Sequence, residues 1–100
     1  MNTKIEVIDD KYLVTLDGEM DTAAANEAEE VLKQLYNNDG KEVIIECQNL
    51  EYIASSGLRL LINILKATTA KGSRVVLRNV NDDIKNVFKL TGFLSIFEFE

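Results

Sequence analysis

Residues 43–71 constrain the fold more than any other part of the chain. The apolar run Val43-Ile44-Ile45-Glu46-Cys47 leads through a loop at residues 48–57 into an apolar-rich helix that begins near Leu58. A break at Lys71-Gly72-Ser73 then precedes a second run, Arg74-Val75-Val76-Leu77. Two strands joined through a helix form a parallel crossover, which is right-handed in nearly all folds. Because Val43-Ile44-Ile45 is continuous rather than alternating, it reads as a central strand covered on both faces.

The helix, read as residues 56–70, carries two apolar faces. At about 100° per residue, Leu58, Leu61, Ile62 and Leu65 cluster on one side, with Leu60 and Ile64 almost opposite. Arg59, Asn63 and Lys66 form a narrow polar stripe between them. One apolar face belongs on the sheet. The Leu60 and Ile64 face either packs on a neighbouring helix or forms an exposed partner-binding patch.

Before this unit, residues 4–8 and 12–16 are short β-type runs around the turn Asp9-Asp10-Lys11, with Ile5 and Val7 on one face of the first and Tyr12, Val14 and Leu16 on one face of the second. Asp17-Gly18-Glu19-Met20-Asp21-Thr22 combines a glycine break with two capping side chains, so helix one follows from Ala23. Its expected core stripe is Ala24, Ala28, Val31 and Leu35, with Leu32 beside it, and it ends at Asn37-Asn38-Asp39-Gly40. Glu27, Glu29 and Glu30 load its early turns with negative charge. After the second parallel strand, Asn79-Val80-Asn81 reads as a turn and cap, followed by Asp82 and Asp83 in the first turn of helix three. Ile84, Val87, Phe88 and Thr91 mark its inner face, Gly92 ends it, and residues 94–99 read as a last strand. The order β-β-α-β-α-β-α-β predicts one α/β domain over residues 1–100: a mixed sheet with an N-terminal hairpin, then parallel βα units, and helices packed on it.

Absent chemistry narrows function. Without histidine, Ser-His-Asp and Cys-His catalysis and most zinc sites fall away. Cys47 is the one cysteine, so it forms no internal disulfide and reads as a small core residue. The stretch Ile53-Ala54-Ser55-Ser56-Gly57 lacks the first glycine of G-x-S-x-G, and neither glycine-rich nucleotide fingerprint occurs. Asp9-Asp10 precedes a strand rather than a helix, and the strand ending at Cys47 offers no acceptor aspartate, which opposes a phospho-aspartate receiver. Asp17, Glu19 and Asp21 show no paired arrangement for acid-base work. The expectation is a non-enzyme without metal or cofactor. A net charge of −6 repels phosphate backbones and anionic lipid, so nucleic acid is not an expected partner. The apolar runs are too short for direct membrane insertion and the start of the chain lacks a basic-then-apolar leader, so a cytoplasmic location is expected.

What remains is the loop that delivers Ser55, Ser56 and Gly57 to the start of helix two. Hydroxyls there lie beside unpaired N–H groups and the positive end of the helix dipole, a place suited to phosphate. Ser55 or Ser56 is therefore a candidate for covalent phosphorylation, with a helix cap as the ordinary role of Ser56. The order and separation of Gly18-Glu19-Met20-Asp21, then Ser55-Ser56-Gly57-Leu58 after an apolar strand, then Thr91-Gly92-Phe93 before the last strand resembles the STAS family, the sulfate transporter and anti-sigma factor antagonist domain. The resemblance spans the chain and is strongest to the stand-alone bacterial antagonists of anti-sigma factors.

That resemblance implies a partner-switching cycle. The unphosphorylated protein binds an anti-sigma factor that is also a serine kinase, phosphorylation of Ser55 releases it, and a metal-dependent serine phosphatase restores the binding form, so that transcription is regulated. It implies a phosphate loop and helix start at Ser56, Gly57 and Leu58 and an acidic residue near the site in Asp21; partner binding is expected through Thr22, Arg59, Leu60 and Ile64. Two positions depart from the family: Ala54 stands where an acidic residue usually precedes the acceptor serine, and Arg59 where a small residue is common. Arg59 could pair with the phosphate. The alternative is a constitutive STAS adaptor of a membrane transport or other signalling complex, without a phosphoswitch.

Overall fold

A computed structural model describes residues 1–100. Strands β1 (Asn2–Ile8) and β2 (Lys11–Met20) precede helix α1 (Thr22–Leu32) and a 3-10 turn (Lys33–Asn37). Then come β3 (Val43–Glu46), β4 (Leu50–Ile53), α2 (Ser55–Ala70), β5 (Val75–Arg78), α3 (Asp82–Leu90) and β6 (Glu98–Phe99). The sheet order is β1-β2-β3-β5-β6, with β1 antiparallel to β2 and the remaining pairs parallel. The mixed sheet and helical layer follow the order read from the sequence, with one strand added.

That strand is β4, which lies inside the segment expected to be loop. It pairs in parallel with the far end of β2, Gly18 with Leu50 and Met20 with Ile53, beyond the part of β2 that pairs with β3. The register shifts between Gly18 and Glu19, and Gly18 takes φ +105°, a conformation natural to glycine that lets β2 change partner. Gly18 N–H donates to the Asn49 carbonyl at 2.9 Å, and Ala54 N–H to the Met20 carbonyl at 2.8 Å, so the approach to α2 is fastened to β2 at both ends. Leu50 and Ile53 are buried while Glu51 and Tyr52 are exposed, a pattern without strand-like alternation.

Helices cover only one face of the sheet. Val14, Leu16, Val43, Ile45, Val75 and Leu77 form one core cluster with residues of all three helices. Ile44 and Glu46 point the other way and are only partly buried, which corrects the expectation of a β3 covered on both faces. In register across that helix-free face lie Leu13 and Ile44, which are partly buried, and Val76, which is buried. Beside them runs a ladder of surface ion pairs, Lys11 to Glu42 at 3.6 Å, Glu42 to Arg74 at 3.2 Å and Arg74 to Glu98 at 2.9 Å, each contributing little in water.

Three local readings also change. The buried stripe of α1 is Ala24, Ala25, Ala28 and Leu32, with Val31 turned outward. The helix tightens into the 3-10 turn after Leu32, which rotates Leu35 inward. Thr91 is exposed rather than on the inner face of α3, its Oγ1 donating to the Val87 carbonyl at 2.7 Å. Finally, β6 is two residues long; Phe97 and Phe99 meet Phe88 edge-on, with ring centres 5.4 and 5.7 Å apart. Cys47 is buried, and burial first, then the charge of Glu46, pushes its thiol up to about 12.

Candidate functional site

Two parallel strands end level with each other and each launches a helix. Met20 of β2 is in register with Ile53 of β4, so Asp21 and Ala54, the N-caps of α1 and α2, follow at adjacent positions, with strands about 4.8 Å apart. The helix starts therefore sit side by side. They differ in chemistry: Asp21 Oδ1 accepts from Ala24 N–H at 2.8 Å, whereas Ala54 has no side chain with which to cap α2. The first intrahelical bond of α2 runs from Leu58 N–H to the Ala54 carbonyl at 3.0 Å. The amides of Ser55, Ser56 and Gly57 precede it, the usual unpaired donors of a helix start.

The two serines are not equivalent. Ser55 is exposed and its hydroxyl makes no hydrogen bond, while Ser56 is half-buried and its Oγ donates to Thr22 Oγ1 across the two helix starts at 3.4 Å. The expected cap by Ser56 is thus corrected: the capping position belongs to Ala54, and Ser56 lies one residue too far into the helix. Thr22 is exposed at this contact. Asp21 lies beside the site, with its carboxylate already committed to α1.

Gly57 is there for contact rather than for a turn. A Cβ at this position would come within 2.7 Å of Met20 Sδ and 2.8 Å of Ile53 Cγ1, so the missing side chain lets α2 approach the ends of β2 and β4. Leu58 is buried behind it. Leu60 and Ile64 are 3% and 0% exposed and pack in the core with Ala25, Ala28, Leu32 and Leu35. Their expected role as partner-binding residues is corrected: α1 and the 3-10 turn occupy that face of α2, and no partner can reach it without opening the domain.

Arg59 is exposed between two grooves. One, of about 210 Å³, is lined by Ser55, Leu58, Arg59, Ile62, Thr91 and Phe93; it brings the Thr91-Gly92-Phe93 motif beside the exposed serine. The other, of about 120 Å³, lies toward α1 and includes Ser56, Glu29 and Asn63. Glu29 there accepts from the Tyr36 hydroxyl at 2.9 Å, and burial first, then this bond, pushes the phenol up to about 12. Ile62 and Phe93 were not among the expected site residues. Phe93 was legible as part of the third motif, but its proximity to Ser55 required the fold.

No helix is long and apolar enough to cross a membrane. The STAS domain family model matches residues 2–100. The anti-sigma-B factor antagonist of Staphylococcus aureus is 32% identical over 94 residues, which cover 92% of this chain and 87% of that protein. Among solved structures, TM1081 of Thermotoga maritima superposes with a TM-score of 0.86 at 21% identity, over 97% of this chain and 84% of that one. The phosphorylated form of the Bacillus cell fate determinant SpoIIAA gives 0.76 at 20% identity, over 99% and 91%. At these identities the structural matches show a shared fold.

Proposed function

The chain belongs to the STAS domain family, and we propose that it works as an anti-sigma factor antagonist whose binding is switched off by phosphorylation of Ser55. The unphosphorylated protein binds an anti-sigma factor that is also a serine kinase; a metal-dependent serine phosphatase reverses the modification. The domain acts by binding, in the cytoplasm, and performs no catalysis of its own.

The observation that carries this reading is the exposed, unbonded Ser55 hydroxyl at an uncapped helix start. In the modification, Ser55 Oγ forms a bond to the γ-phosphorus of a nucleoside triphosphate, the bond between the β-γ bridging oxygen and that phosphorus breaks, the diphosphate leaves, and the hydroxyl proton passes to the kinase's base. The product adds about 1.5 to 2 negative charges close to the amides that precede Leu58. Because Ser55 holds no internal bond, the domain need not unfold to accept the group. What changes is the surface. Burying a phosphate against a partner without full compensation costs several kcal/mol, and about 4 kcal/mol weakens binding a thousandfold.

The likeness to the Staphylococcus aureus antagonist supports the binding role. The test is intact-mass analysis of protein from its own cells beside Ser55→Ala, followed by affinity measurements on both forms. One phosphate that disappears in the variant, together with at least a hundredfold weaker anti-sigma factor binding by the phosphorylated form, is the expected result. A chain that never carries phosphate, and binds equally well with Ser55→Ala, would instead fit the constitutive adaptor.

A further inference from the structure

We propose that Arg59 is the intramolecular counter-ion of the phosphate on Ser55, so that phosphorylation removes a cation from the docking surface as well as adding an anion. This deepens the preceding reading and rests on Ser55 as the acceptor.

Residues four apart on a helix have Cβ atoms about 5 to 6 Å apart, and helical side chains lean toward the N-terminus. Arg59 therefore leans back over the turn that begins at Ser55, and both residues line the same groove. It is the one cation lining either groove beside the two serines. Arg74 and Arg78 on the sheet have carboxylates within ion-pair distance, but Arg59 is exposed and holds neither a hydrogen bond nor an ion pair. Glu29, the carboxylate of the second groove, is engaged by Tyr36. A phosphate on Ser55 would place oxygens where the planar guanidinium can take two of them at once. In the unphosphorylated protein the same guanidinium faces outward, available to a partner's carboxylate. The modification thus withdraws an attractive contact while it installs a repulsive charge.

The experiment incorporates phosphoserine at position 55 during translation and follows its second ionisation by phosphorus NMR as a function of pH. Arg59→Gln should raise that pKa by about half a unit, a threefold change in proton affinity of the size expected for an exposed ion pair. Arg59→Lys should recover part of the shift, because it keeps the charge but not the fork. Lys66→Gln, which removes an equal charge about 16 Å from Ser55 along the helix, should leave the value within 0.1 unit. Equal effects of Arg59→Gln and Lys66→Gln, or none from either, would overturn the pairing. The titration uses neither kinase nor partner, so failure of Ser55 as the cell's acceptor, read from intact mass, is separate from failure of the Arg59 contact.

Discussion

Supplying α2 with the cap it lacks tests the geometry of the site directly. The backbone at Ala54 has φ −81° and ψ 167°, close to Asn81 at φ −72° and ψ 166° and Asp21 at φ −76° and ψ −176°. Each of those two side chains accepts from the amide three residues on, Ile84 and Ala24, at 2.8 Å. An aspartate or asparagine at position 54 should therefore reach Gly57 N–H without backbone adjustment. A cap is worth about 1 kcal/mol, and a negative charge adds roughly 0.3 to 1 kcal/mol at the helix start. Asp21, beside position 54, offsets that second gain by about 0.5 to 1 kcal/mol at low salt. Both Ala54→Asn and Ala54→Asp should therefore stabilise the domain by about 1 kcal/mol, raising the melting temperature by about 4 to 8 °C. Salt should favour Asp relative to Asn if repulsion from Asp21 outweighs attraction to the dipole. The Asp gain should fade as pH falls through its folded pKa, because a capped carboxylate titrates below its unfolded value. Urea unfolding with an unchanged slope is the assay. An Ala54→Asn midpoint equal to that of the parent would refute the claim that these amides await an acceptor.

Other substitutions separate packing from binding. Gly57→Ala gains up to about 1 kcal/mol of helix propensity but forces a methyl against buried Met20 and the stiff Ile53 side chain, an overpacking cost of about 1 to 3 kcal/mol; a net loss of about 1 kcal/mol should appear in the urea midpoint. Ile64→Ala should cost about 2 to 5 kcal/mol of stability, and Leu60→Ala a similar amount, with anti-sigma factor affinity unchanged once the folded fraction is taken into account. Cys47 should resist alkylation at pH 8 in the folded protein and react in urea. Its thiol is held up to about 12 against an ordinary 9.0, which lowers the thiolate fraction by about three orders of magnitude.

The order of elements was legible because it rests on local physics. Apolar runs such as Val75-Val76-Leu77, the caps Asp21 and Asn81, and the apolar spacing of Ile84 and Phe88 each express a preference satisfied within a few residues. The same local chemistry marked Ser55-Ser56-Gly57 as a helix start. Capping geometry separated their roles only in the folded chain, because Ala54 rather than Ser56 stands at the cap.

Tertiary structure decided the rest. Strand β4 exists because a bulge at Gly18 frees the end of β2 to take a second partner, a pairing across some thirty residues that no short window contains. Val43-Ile44-Ile45 could not reveal that one face of the sheet lacks helices, since an apolar run specifies burial but not what supplies it. For the same reason, Leu60 and Ile64 had two readings until α1 closed over them. The neighbourhood of Ser55, Arg59 and Phe93 is likewise a product of the fold: the sequence placed a serine at a helix start, while packing of α2 beside the turn after α3 made it the lip of a groove.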